Sequence, residues 1–153
     1  MTITTKTGDG GVSFWKDKRV GKDNILIETI GTLDEVQAII EMVGIDLEEV
    51  KVDLWGIMGE IAYEKKYEKL GERIGLMEHT IDKLDEELPK IDKFIIFKNE
   101  KAIKLNWLRT VVRRAERKIV ELNKQQPVNP KLLAYINRLS DYLFMIARRE
   151  EIK

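Results

Sequence analysis

Arg109-Thr110-Val111-Val112-Arg113-Arg114-Ala115-Glu116-Arg117 packs four arginines and one carboxylate into one short stretch. At roughly 100° per residue, Arg109, Arg113, Glu116 and Arg117 share one flank of a helix, while Arg114 points elsewhere. Such a flank can be a solvated face laced by pairs such as Arg113–Glu116. It can equally be a polyanion site, because stacked guanidiniums repel unless an anion lies among them, and their forked donors suit phosphate oxygens. A second stretch, Tyr135-Ile136-Asn137-Arg138-Leu139-Ser140-Asp141-Tyr142-Leu143-Phe144, sets charge beside an apolar seam. There Arg138 and Asp141 can form a local ion pair, or Asn137 can reach a ribose or phosphate.

A third candidate is Thr5-Lys6-Thr7-Gly8-Asp9-Gly10-Gly11. It is not a Walker A loop, since no Gly-Lys-Ser/Thr follows. Its glycines either expose backbone N–H groups as an anion nest or leave a loose N-terminal arm. The lone His79 reads as a helix-surface residue, and Trp15, Trp55 and Trp107 read as core or interface filler.

Composition narrows the chemistry. Lys+Arg and Asp+Glu balance at 27 each, which argues against a sequence-independent nucleic-acid binder. The absence of cysteine excludes disulfides, thiolate nucleophiles and Cys-based zinc sites. A single histidine cannot build a multi-His metal centre, and no metal site is expected. No apolar run approaches the ~20 residues of a membrane span, and the chain opens without a signal-peptide pattern. The expectation is a cytoplasmic protein.

The elements that must position these residues follow from periodicity. With 153 residues, the chain reads as one domain, 1–153, with residues 1–31 as an arm carrying the Gly-rich loop. Ile25-Leu26-Ile27 suggests a short extended piece. Thr32-Leu33-Asp34-Glu35 has capping-box spacing and opens the first helix, with Val36, Ile39, Ile40 and Val43 inward. A second helix is expected at about 47–70, where Gly71 interrupts, and a third at about 72–88, stopped by Pro89. Phe94-Ile95-Ile96-Phe97 is a short apolar loop or strand. The fourth helix, about 100–124, carries the seam Leu105, Leu108, Val112, Ala115, Ile119 and Leu122. The fifth opens at Asn129-Pro130 with the seam Leu132, Ile136, Leu139, Leu143 and Ile146. Short connections predict an all-α fold, an antiparallel five-helix bundle with an extended N-terminal ligand-binding arm.

Three N-terminal blocks, Thr5–Gly11, Arg19-Val20-Gly21-Lys22-Asp23 and Gly31-Thr32-Leu33-Asp34-Glu35, together with the two stretches that opened this section, resemble the signatures of PduO-type ATP:cob(I)alamin adenosyltransferases. Ile81-Asp82-Lys83-Leu84, Leu88-Pro89 and Phe94 fall in the same order, so the resemblance covers nearly the whole chain. It implies a homotrimer with ATP sites between subunits, and transfer of the 5′-deoxyadenosyl group of ATP to the cobalt of cob(I)alamin. It also implies Mg²⁺ with the ATP, and a reductase, such as a flavoprotein, upstream. By resemblance Thr5, Lys6, Thr7, Gly8, Asp9, Gly10, Gly11, Ser13 and Lys22 hold the triphosphate and its cation. Arg113 acts where triphosphate leaves, and Arg114, Glu116, Arg117 and Asn137 complete the nucleotide pocket. Asp34 pairs with Arg109 across the subunit boundary. Phe94, Asp141 and Phe144 contact the corrinoid, Phe94 as the wedge that displaces its lower ligand.

The chain departs from the family pattern in three places. Phe94-Ile95-Ile96-Phe97-Lys98-Asn99-Glu100 stands where many members continue Leu-Pro-Gly-Gly after the phenylalanine, and Phe97 is the other candidate wedge. Asn106 stands where histidine is common, and Gln37-Ala38 where Asn-Ser is usual. The rivals to catalysis are a non-catalytic ATP- and corrinoid-binding paralogue and a purely structural helical trimer.

Overall fold

The computed structural model describes residues 3–153. Five helices and a small two-stranded sheet make up the described chain: β1 (Val12–Trp15), β2 (Lys18–Gly21), α1 (Ile25–Val43), α2 (Glu48–Tyr63), α3 (Leu70–Glu87), α4 (Glu100–Asn123) and α5 (Pro130–Glu151). The hairpin corrects the all-α expectation. β1 and β2 are antiparallel, with Ser13 opposite Val20 and Val12 opposite Gly21. Its strands are too short, and one face too open, to show a clear alternating pattern in the sequence.

The first helix starts earlier than its capping-box spacing suggested. Asn24 is the N-cap, its Oδ1 accepting from Leu26 N at 2.9 Å, so Ile25–Ile27 form the first turn rather than an extended piece. Thr32 lies inside the helix, where its hydroxyl donates to Glu28 O at 2.7 Å. That back-bond satisfies a hydroxyl that the box would have used as a cap. Gly44, at φ 70°, ends the helix in the left-handed conformation that favours glycine.

Between α2 and α3 the break falls at Glu64, not Gly71. Glu64 adopts φ 59° and returns its N–H to Glu60 O, while the Glu60 carboxylate accepts from Tyr67 N at 2.8 Å. Gly71 lies in the first turn of α3. Gly56 has a packing reason: a Cβ there would sit 2.5 Å from the Tyr67 ring. The other two helix starts match expectation. Asn99 caps α4 through Lys101 N and Ala102 N, and Asn129 caps α5 ahead of Pro130.

α4 packs on α5 and α1, α3 on α5, and α1 on α2. Every residue of the expected α4 and α5 seams is buried, as the 3-4 spacing requires of a core-facing stripe. Trp55 and Trp107 are 59% and 45% exposed, so neither fills the core. His79 is exposed, as expected.

One polar group crosses this core. Asp53 is 1% exposed on the inner face of α2. Its carboxylate accepts from Tyr67 Oη at 2.7 Å, Tyr135 Oη at 2.9 Å and Arg73 Nε at 3.2 Å. The network ties α2, α3 and α5 together. Burial, reinforced by the Asp53 carboxylate, pushes the Tyr67 hydroxyl up to about 12 and that of Tyr135 higher still. Both therefore remain proton donors to Asp53 at neutral pH. No described helix is long and apolar enough to cross a membrane.

Candidate functional site

α4 and α5 bring the two arginine- and asparagine-bearing stretches side by side. With the segment after α3 they wall a cleft of about 640 Å³, lined among others by Phe94, Phe97, Arg109, Arg113, Asp141 and Phe144. Aromatic and cationic side chains line it together. Arg109 is held there on two sides: its Nε donates to Asn106 Oδ1 at 2.9 Å, and its guanidinium lies 5.7 Å from the Phe144 ring centroid. Burial, then the like charge of Arg113, lowers the Arg109 pKa below the usual guanidinium value. A guanidinium in that position gains most from an added anion.

Arg113 is exposed, with its side chain toward this cleft. Glu116 does not pair with it; its Oε1 accepts from Asn137 Nδ2 at 2.9 Å, bridging α4 to α5. Arg117 folds back to donate to Arg113 O at 3.0 Å. Arg114 points away from the cleft and forms an ion pair with Glu35 on α1. The local pair of Arg138 and Asp141 is present at 3.2 Å, and Arg138 also reaches Glu78 at 3.0 Å. Asp141 thus lines the cleft with part of its charge already balanced. Phe94 is 97% exposed at the cleft mouth, whereas Phe97 packs edge-on against Phe144, centroids 6.3 Å apart.

The N-terminal group is assembled by the hairpin. Lys22 N donates to Gly11 O at 2.9 Å, and the Lys22 side chain passes over Gly8, where a Cβ would stand 3.1 Å from Nζ. A side chain at residue 8 would push the flexible end of Lys22 aside by a few tenths of an ångström. Ser13 sits on β1, and Thr5 and Thr7 hydroxyls share a 2.8 Å hydrogen bond. As a nest the loop is only partly open: the Asp9 and Gly11 amides donate to Lys6 O and Gly8 O. Nor is the arm loose throughout. Trp15 Nε1 donates to Ala62 O at 2.6 Å, and Lys16 pairs with Glu64 at 2.7 Å, pinning the hairpin to the end of α2.

Among the described residues, no hydrogen bond or salt bridge joins Thr5–Gly11 or Lys22 to Arg109, Arg113, Glu116, Arg117 or Asn137. Asp34 is exposed and does not pair with Arg109 within the chain. Sequence reasoning assigned no role to Asn106, the Trp15 anchor or the Asp53 network. Asp53 carried a legible signal, an acid three residues after Val50 and four before Ile57, both buried, at the spacing of one helical stripe; nothing local marked the other two.

A second cleft, about 370 Å³, lies beside α2 and α3. Its wall carries Asp46, Glu48 and Glu49, and its Arg73 already serves Glu49 and Asp53. That charge pattern repels a polyanion, whereas the α4–α5 cleft brings Arg109 and Arg113 into one lining and is the candidate site.

Residues 3–150 match the family model described as cobalamin adenosyltransferase. The corrinoid adenosyltransferase of Bacillus subtilis (strain 168) is 34% identical, over 97% of this chain and 86% of the relative. The corrinoid adenosyltransferase PduO of Citrobacter freundii is also 34% identical, over 99% of this chain, which spans 50% of that relative. Among solved structures, a variant PduO-type ATP:corrinoid adenosyltransferase from Lactobacillus reuteri, complexed with cobalamin and ATP, superposes with a TM-score of 0.89. It is 28% identical, over 99% of this chain and 91% of that one.

Proposed function

The chain belongs to the cobalamin adenosyltransferase family, and on that premise we propose that it transfers the 5′-deoxyadenosyl group of ATP to the cobalt of cob(I)alamin. The cobalt(I) electron pair forms the bond to C5′. The C5′–O bond breaks, and its pair leaves with triphosphate, so cobalt passes formally from +1 to +3. The metal supplies the nucleophile, and no Ser, Cys or His nucleophile is required of the protein. The chain's task is to align the two substrates and to stabilise charge on the departing triphosphate.

The observation that carries this reading is a single cleft lined by Phe94, Phe97 and Phe144 together with Arg109 and Arg113. Its rings suit a corrin plane, and its guanidiniums suit the leaving group. Arg113 is the catalytic residue in this reading. Glu116, Arg117 and Asn137 border the nucleotide, Glu116 and Asn137 as a mutually oriented pair, whereas Arg114, turned to Glu35, is left out of the pocket of its own chain. Thr5, Lys6, Thr7, Gly8, Asp9, Gly10, Gly11, Ser13 and Lys22 bind the triphosphate. Among the described residues no group of three or more His, Cys, Asp or Glu side chains stands ready for a metal. Mg²⁺ would come with ATP, and Thr5–Gly11, Ser13 and Lys22 would hold it together with the triphosphate, where it would offset phosphate charge. Phe94, Asp141 and Phe144 contact the corrinoid.

The lack of bonds between the N-terminal group and the cleft supports ATP sites shared between copies in a homotrimer, with Asp34 of one copy facing Arg109 of the next. The packing of α4 on α5 and α1, α3 on α5 and α1 on α2 supports one five-helix domain over 1–153, read as an antiparallel bundle. A cytoplasmic location and a flavoprotein reductase that supplies cob(I)alamin complete the reading.

Mixing the protein with ATP, Mg²⁺ and chemically reduced cobalamin should yield the light-sensitive alkylcobalamin spectrum; no such spectrum sinks the assignment. The exposure of Phe94 favours one rival, a non-catalytic binding paralogue, which would bind ATP and corrinoid yet give no product. Sedimentation should show a trimer, weakened by Asp34→Arg or Arg109→Asp alone and partly restored by both together. Additive damage in that cycle excludes direct contact.

A further inference from the structure

The segment between α3 and α4 carries Ile91, Phe94 and Ile96 exposed to solvent, yet both its ends are tied to the last turn of α5. At one end Arg148, 6% exposed, donates from Nη2 to Pro89 O. The cation also sits beside the C-terminal end of α3, where the helix dipole favours it. At the other end one carboxylate oxygen of Glu151 accepts from both Lys98 N and Asn99 N, each at 2.9 Å. Those amides lead into the first turn of α4, whose dipole favours the negative charge. Between the two ties Phe97 rests on Phe144.

We propose that Arg148 and Glu151 are positioning residues: they clamp residues 90–97 at both ends and so set where Phe94 and Phe97 meet the cleft. This rests on the reading of the cleft as the corrinoid side of an adenosyltransferase site. A free apolar loop must lose backbone entropy when it orders against a ligand. A loop already closed by α5 has less to lose, and the gain appears as affinity. No proline stiffens the chain between Phe94 and Glu100, so the clamp is what restrains it. Neither clamp residue lines the cleft itself, so each acts on it only through residues 90–97, the proposed corrinoid side.

The test separates the clamp from the activity. Trypsin can cut after Lys90, Lys93 and Lys98. Glu151→Ala should be cut there about tenfold faster than wild type, while Glu151→Gln, which keeps an acceptor oxygen, should stay near wild type. Arg148→Lys, compared at equal thermal midpoint, should be cut faster after Lys90. In turnover with pre-reduced cobalamin, Glu151→Ala should raise the corrinoid KM about tenfold and leave the ATP KM unchanged. Wild-type cleavage rates in Glu151→Ala overturn the clamp whatever the activity. An equal rise in both KM values overturns its confinement to the corrinoid side. If the wild type makes no adenosylcobalamin but the cleavage pattern holds, the clamp stands and the corrinoid role fails.

Discussion

The cleft between α4 and α5 and the N-terminal loop with its hairpin carry comparable numbers of proposed ligand contacts, but they are built differently. Arg109, Arg113 and Asn137 stand on two long helices whose seams are buried along their length. Their positions are set by packing before any ligand arrives. Thr5–Gly11 and Lys22 are held by a short hairpin, which one tryptophan hydrogen bond and one surface ion pair fasten to α2. The first region can act as a preorganised electrostatic wall. The second is suited to closing over a ligand, since segments that must move come from the weakly tethered end of a structure.

The largest effect should come from the frame under the cleft. Asp53→Ala leaves the buried Tyr135 hydroxyl, the half-buried Tyr67 hydroxyl and Arg73 without their common acceptor, at a cost of about 3–5 kcal/mol. Urea unfolding should show it, and a loss below 1 kcal/mol would mean that the helices do not depend on this network. Next is Arg113→Ala, which removes an exposed side chain from an intact wall. Turnover should fall at least 10–100-fold, from one charge-assisted contact of roughly 1.5–3 kcal/mol, with the unfolding midpoint unchanged. Near-normal turnover would remove Arg113 from the chemistry.

Trp15→Ala addresses the other region. It should lower stability by about 1–3 kcal/mol, from the lost Ala62 hydrogen bond and the contact of the half-buried ring with the core, speed proteolysis within 3–24, and raise the ATP KM while sparing the corrinoid KM. In the wild type MgATP should protect residues 5–11 more than the already paired 12–21. Equal changes in both KM values would erase the contrast between the regions. The smallest effect concerns pH. The hydrogen bond from Lys16, and then its charge, hold the Glu64 carboxyl below its usual 4.5. A depressed folded pKa means that the contribution is complete above about 4.5 and is lost as pH falls through the lower folded value. Pepsin cleavage within the hairpin, relative to Glu64→Gln, should therefore rise only below that range; no difference between the two proteins would show the pair to be idle.

Legibility in the sequence followed the same division. The α4 and α5 seams, Asn129-Pro130 and the stop at Pro89 were readable because period and cap chemistry act within a few residues. Thr32-Leu33-Asp34-Glu35 misled because capping-box spacing is also compatible with a helix interior, and only the neighbourhood of Asn24 decides between them. The hairpin went unread because its main tether, Trp15 to Ala62, spans two distant parts of the chain. Arg113 and Glu116 looked like partners by spacing, yet Glu116 is claimed by Asn137 on another helix.

What the sequence determined by itself was the set of helices, their inward faces and the residue types that point to phosphate and corrin chemistry, since these depend on local period and side-chain chemistry. Its motifs also carried the family resemblance. Tertiary structure alone decided which charges are already paired, that Arg109 is flanked by Asn106 and Phe144, and that α5 ties down both ends of the Phe94 segment. Those outcomes depend on which helices meet and at what register, and long-range packing sets both.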